Sequence, residues 1–136
     1  MRKIIVIVAI VFILFIARII FLADTGGSSI FFDLVKALPY GDKIGHLCLF
    51  GSLTLVLNWA CGFRAFKLGR WPVYYGTLLV SVFVLLEELS QGFFPTRTLD
   101  ITDLMADAVG ITWFSFLSCK LYQYQTGKLT AREINS

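Results

Sequence analysis

Four apolar stretches, approximately Ile4–Ala23, Lys43–Gly62, Pro72–Gln91 and Ile101–Cys119, alternate with short polar breaks. Each approaches or exceeds the roughly 20 residues that a helix rising about 1.5 Å per residue needs to cross about 30 Å of hydrocarbon. The pattern predicts an all-α integral membrane bundle of four transmembrane helices forming a single membrane domain. Within it, 1–41 supplies the first helix and an outer loop, 42–119 the core, and 120–136 a polar cytoplasmic tail. The first stretch follows Met1-Arg2-Lys3, but it is long and no A-x-A-like site follows Ala23. It therefore reads as a retained helix rather than a signal peptide.

The breaks carry their own local signals. After the turn-rich Asp24–Ser29, the apolar residues of Ile30–Leu38 recur at helical spacing over a length too short to cross. A short outer interfacial helix ended by Pro39-Tyr40-Gly41 fits, as does an irregular loop that dips aromatics into headgroups. Asp42 is placed to cap the second long helix. Trp71-Pro72 reads as an interfacial tryptophan before a proline in the first turn of the third. Gly92–Thr96 breaks that helix, and Thr98 or Asp100 can cap the fourth.

Composition sharpens the class. With 57% apolar, 15% aromatic and 15% charged residues, the chain has too few polar groups to coat a soluble globule of its size. Its net charge of +3 is explained by topology rather than by a nucleic-acid partner. Arg2, Lys3, Arg64, Lys67, Arg70, Lys120, Lys128 and Arg132 all fall on one side of a four-span chain, which by the positive-inside rule is the cytoplasmic side, so both termini are expected there. Arg18, towards the far end of the first helix, is expected to snorkel outward or to pair with an outer acid. Cys48, Cys61 and Cys119 form no C-x-x-C spacing and are expected to be buried thiols.

Against this background, the polar residues around the third and fourth stretches stand out. Glu88, Gln91, Arg97, Asp100, Asp103 and Asp107 crowd the segment that joins them, and ionisable groups at such depth usually face a bundle interior or a wet cavity. Asp42 and His46 share a helix face at i, i+4; Glu88 and Gln91 do so at i, i+3; and Asp100, Asp103 and Asp107 form an i, i+3, i+7 stripe. All belong to the same outer membrane boundary, where Lys43 and Arg97 are the counter-charges. Glu87 and Lys43 are expected to be headgroup-solvated boundary residues, and Asn58 to make an interhelical hydrogen bond.

The convergent set offers acid/base chemistry, with His46, Glu88 and Asp103 as candidate catalytic residues. Asp42, Lys43, Gln91, Arg97, Asp100 and Asp107 are candidate ligand-binding residues. The same oxygens admit a divalent cation as cofactor, for which Glu88, Asp100, Asp103 and Asp107 offer hard ligands with His46 nearby, and no one ligand set is singled out. An internal Arg–carboxylate network holding the loop accounts for the same residues without any ligand.

Asp42-Lys43-x-x-His46, then Glu88-x-x-Gln91, then Pro95-x-Arg97-x-x-Asp100-x-x-Asp103 and a small residue at Gly110 resemble, in order and spacing, the VanZ-like family of small bacterial membrane proteins. The resemblance covers roughly Asp42 to Phe116. The chain departs from the family pattern at Asp107, where asparagine is common, and at Phe50, where the family often has tyrosine. What the resemblance implies is a cell-envelope role, the family being named for a protein associated with resistance to the glycopeptide teicoplanin. A housekeeping envelope role is equally open.

The expected function is an outward-facing polar pocket that binds or modifies a cell-envelope lipid or lipid-linked precursor. A non-catalytic binding or immunity module, or a small proton-coupled transporter subunit, are the alternatives, and whether the chain is an enzyme stays open. Membrane lipid, a lipid-linked precursor or a glycopeptide are the partners considered, with oligomerisation also open.

Overall fold

The computed structural model describes residues 2–94 and 100–134, with side chains for 3–94 and 100–127. The chain runs α1 (Arg2–Asp24), α2 (Ile30–Lys36), α3 (Gly41–Ala60), β1 (Ala65–Leu68), β2 (Trp71–Tyr74), α4 (Tyr75–Gln91) and α5 (Ile101–Ile134). Helix α3 lies at the centre, packing against α1, α2, α4 and α5, with its largest interface to α5. The core joins Ile16 of α1, Phe50 and Leu53 of α3, Val80 and Val84 of α4, and Ile111 of α5.

Among the described residues, two helices are long and apolar enough to cross a membrane, Lys3–Asp24 and Ile101–Gly127. The other two expected spans form the helices α3 and α4, of 20 and 17 residues. Neither is as long and apolar as those two, because α4 is short and both carry charged residues at the polar end of the bundle. Outward faces remain apolar all the same: Ile7, Val11 and Leu14 of α1, Leu79 and Leu86 of α4, and Val109 and Trp113 of α5 are exposed.

Glycine sets the depth of the α3–α5 interface. A Cβ at Gly110 would collide with the backbone carbonyl of Leu47, so only glycine lets the two backbones meet there. At the opposite end, Gly76 is equally close to Asn58, whose backbone nitrogen would lie 2.5 Å from an added Cβ. That approach delivers the Asn58 amide to α4, where Oδ1 accepts the backbone N–H of Thr77 at 3.0 Å. Tyr74, the residue preceding α4, makes no side-chain capping bond. Asn58 thus serves one of the N–H groups that a helix start leaves without an intrahelical acceptor. Its Nδ2 donates to Thr77 Oγ1 and Ser118 Oγ, each at 3.1 Å, tying α3, α4 and α5 together as the expected interhelical bond.

Several local expectations need correction. The chain is mostly helical but not all-α, because the basic loop folds as an antiparallel hairpin pairing Phe66 with Val73 and Lys67 with Pro72. Gly69, at φ +63°, opens the two-residue turn between the strands, as the Gly-X hairpin turn requires. Pro72 therefore lies in β2 and not in a first helical turn. A two-stranded ribbon has only edge strands, which tolerate a residue with no N–H to donate.

Helix α5 also continues through the expected tail to Ile134. Polarity alone does not stop a helix, and Tyr122 gives this extension something to pack on, stacking on Phe63 at 4.2 Å with Trp59 edge-on at 6.2 Å. Asp42 does not cap α3. The cap position is Tyr40, in left-handed backbone at φ 55°, and Asp42 sits in the first turn, where its charge favours the helix N-terminus. Asp100 does cap α5, its Oδ1 accepting Thr102 N–H at 2.8 Å and Thr102 O–H at 2.7 Å. Thr98 lies outside the described residues.

The expected short helix is present as α2, capped by Ser29, whose Oγ accepts from Phe31 N at 3.2 Å. Cys48 is exposed rather than buried, while Cys61 and Cys119 are half-buried and all three are free thiols. An outward thiol of this kind is a small apolar group on an apolar surface.

Candidate functional site

Three helix ends meet at one end of the bundle: the start of α3, the end of α4 and the start of α5. The i, i+3, i+7 stripe of α5 turns Asp103 and Asp107 inward, at 6% and 0% exposure, and leaves Asp100 at the rim. Helix α3 answers with Lys43 and His46. The Lys43 ammonium donates to Asp100 Oδ2 at 2.8 Å, pairs with Asp103 Oδ1 and lies 3.5 Å from Asp42 Oδ2. Lys43 is therefore surrounded by acid and not a free headgroup-solvated cation. Hydrogen bonds from Lys43 and then from the Thr102 hydroxyl and N–H hold the Asp100 carboxyl well below the usual carboxylate range.

One turn deeper, His46 Nδ1 lies 3.2 Å from both carboxylate oxygens of Asp107. A carboxylate can only accept, so in this pair the Nδ1 carries the proton. The other ring nitrogen lies 3.9 Å from Asp103 Oδ2. The ring itself packs against Phe50 at a centroid distance of 5.8 Å. A carboxylate that fixes the tautomer and orientation of an imidazole is the arrangement a general base needs.

Helix α4 contributes Glu87, Glu88 and Gln91, at 6%, 3% and 1% exposure. Gln91 Nε2 donates to Glu87 Oε1 at 2.8 Å. Glu87 is thus buried within the site instead of lying in a boundary layer. Its i, i+4 relation to Gln91 is the signal in the sequence that points there. Glu88 differs from its neighbours: neither carboxylate oxygen, both buried, has a hydrogen-bond partner among the described residues.

The structure thus brings together Asp42, Lys43, His46, Glu88, Gln91, Asp100, Asp103 and Asp107 from the expected set and adds Glu87. Arg97, the remaining expected member, lies outside the described residues. Arg18 is exposed on α1. Two subsets of these side chains place one ligand atom each within 4.8 Å of one another, Asp42/His46/Asp103 and His46/Glu88/Asp107.

Beside the cluster, α1, α2 and α3 line a partly open pocket of about 70 Å³. Its walls are apolar, from Ile16, Ile20, Phe31, Val35 and Phe50, and its polar end is formed by Asp42, His46 and Glu87. A wider cleft of about 570 Å³ shares Ala23, Phe32, Val35 and Asp42 with it and reaches Lys43 and Tyr40 at the rim. Compared with known proteins, the chain matches no family model, no curated protein sequence and no solved structure.

Proposed function

We propose that this chain is a VanZ-like protein of the bacterial cytoplasmic membrane that binds or modifies a cell-envelope lipid or lipid-linked precursor through its polar end. In this reading α1, α3, α4 and α5 all span, both termini and the β1–β2 hairpin are cytoplasmic, and α2 lies on the outer surface. The basic residues of the hairpin and the apolar outward faces of α4 and α5 support that topology.

The observation that carries the functional reading is the cleft of about 570 Å³ that opens at Lys43 and Tyr40 and continues into the small apolar pocket between α1, α2 and α3. Apolar walls that end on His46, Asp42 and Glu87 suit an amphiphile whose chain lies along α1 and α2 and whose polar group reaches the cluster. The His46–Asp107 pair then supplies the base if chemistry occurs, and Lys43 holds Asp100 and Asp103 in place. The VanZ-like resemblance lends the cell-envelope setting and the link to teicoplanin.

The test is complementation of a strain lacking this protein, scored by susceptibility to teicoplanin and other envelope-targeting agents. Wild type should rescue, whereas Glu88→Gln, Arg97→Ala and Asp103→Asn proteins of equal membrane abundance should not. Equal rescue by all four would make the cluster scaffolding and overturn the reading. Turnover of an extracted lipid separates an enzyme from a non-catalytic binding or immunity module.

A second reading, a proton-coupled transporter subunit, draws on the complete burial of Asp107 against His46. Proton flux in liposomes that Asp107→Asn leaves unchanged would remove it.

A further inference from the structure

Glu88 poses an electrostatic problem that the described residues of the cluster do not solve. The carboxylate is 3% exposed, and among the described residues neither oxygen accepts a hydrogen bond. Its surroundings are acidic, with Glu87, Asp103 and Asp107 also buried. Lys43 is already shared among Asp42, Asp100 and Asp103, while His46 is bonded to Asp107. An isolated buried carboxylate is strongly unfavourable unless it is paired, protonated or coordinated to a metal. Within 4.8 Å of it the structure supplies a ring nitrogen of His46 and a carboxylate oxygen of Asp107, each from a different helix.

We propose that His46, Glu88 and Asp107 form a binding site for a divalent first-row transition-metal ion, held between α3, α4 and α5. One imidazole and two carboxylates form a mixed nitrogen and oxygen set suited to Zn²⁺ or Mn²⁺, whereas Mg²⁺ prefers oxygen donors and retained water. A doubly charged ion offsets both carboxylates and gives Glu88 the partner it lacks among the described residues. The alternative triad, Asp42/His46/Asp103, is less suited because Asp42 is exposed and Lys43 already pairs with both of its acids. The proposal stands on this geometry and does not depend on the lipid reading.

Full-length protein purified in detergent, stripped with chelator and equilibrated with Zn²⁺, Mn²⁺ or Mg²⁺ tests it by metal content and by titration. Wild type should retain a single equivalent of Zn²⁺ or Mn²⁺ in preference to Mg²⁺. Glu88→Gln should bind more than about 100-fold more weakly, since even outer-shell losses cost metal sites 10–100-fold. Asp42→Asn, outside the set, should bind as wild type. Should Glu88→Gln not fold, Co²⁺ uptake by wild type gives a second measurement, with visible bands expected for an ion held by nitrogen and oxygen.

Failure of wild type to take up any first-row ion in preference to Mg²⁺ overturns the site, as does unchanged affinity in a folded Glu88→Gln protein. So does an infrared band of a protonated carboxylic acid in the metal-equilibrated wild type that Glu88→Gln removes, because a proton would then occupy the ion's place. The complementation experiment is scored independently, so either idea can fail alone.

Discussion

His46 on α3 and Asp107 on α5, 61 residues apart in sequence, meet with the imidazole Nδ1 3.2 Å from both carboxylate oxygens. Asp107 is wholly buried and His46 nearly so, which makes their hydrogen bond part of the α3–α5 interface as well as of the site. Groups in such direct contact should show strong energetic coupling. A double-mutant cycle of His46→Gln and Asp107→Asn, followed by thermal unfolding in detergent, is expected to give an interaction energy of about 0.5–3 kcal/mol. Additive effects would mean that the pair does not hold together in solution.

Glu88→Gln should separate stability from function. Replacing a buried charge by an isosteric amide removes a carboxylate that no described residue partners, so the chelator-stripped protein is expected to gain about 1–3 kcal/mol. The same change should abolish complementation. A loss of stability in the stripped protein would instead mean that the Glu88 carboxylate is satisfied by a partner that glutamine cannot replace.

At the opposite end of the bundle, Asn58 carries three helices through bonds to Thr77 and Ser118. Asn58→Leu leaves the Thr77 N–H without its acceptor. Thr77 keeps the Ser115 hydroxyl at 2.8 Å, and Ser118 keeps the Ser115 carbonyl at 2.8 Å. Those remaining bonds limit the expected cost to about 1–2 kcal/mol. Thermal unfolding should register the loss, while metal uptake should be unaffected because the site lies at the other end of the helices.

Asp100 gives a dependence on pH with a definite sign. Its folded pKa is depressed by Lys43 and Thr102, so its contribution is fully present above the ordinary aspartate value of about 3.9 and is lost as pH falls through the folded value. At pH 4 Asp100 should still be ionised, a state that carboxyl-carbon NMR of labelled protein can read. Asp100→Asn retains a good capping residue for α5 and removes only the ion pair, whereas Asp100→Ala removes both. Stability should therefore fall in the order wild type, Asp100→Asn, Asp100→Ala. Titration at the ordinary aspartate value would show that Lys43 is not held against Asp100.

The topology is open to reporter fusions. Reporters after Gly69 and Gly127 should be cytoplasmic, and one after Gly26 should lie outside. An external Gly69 reporter would reverse the assigned sides. Matching sides for Gly26 and Gly69 would show that α3 does not cross.

Properties local to the chain are legible in the amino-acid sequence by itself. Predominantly apolar runs produce α1 and the first part of α5, Ser29 and Asp100 supply caps through their own short side chains, and the spacing of Asp103 and Asp107 puts them on one inward stripe. Periodicity and capping act over one or two turns, so the residues that cause them are neighbours in sequence. Tertiary packing decides the rest. Lys43 is a solvated boundary residue by sequence alone, and becomes part of the cluster because α5 brings Asp100 within 2.8 Å from 57 residues away. Glu87 reads as an edge residue by sequence alone but is buried at the pocket that α1, α2 and α3 line, and the continuation of α5 past Cys119 has a partner only once Phe63 and Trp59 stand beside Tyr122. Burial and pairing depend on which helix faces arrive opposite one another. That arrangement follows from close approaches such as Gly110 against Leu47 and Gly76 against Asn58, which no window along the chain contains.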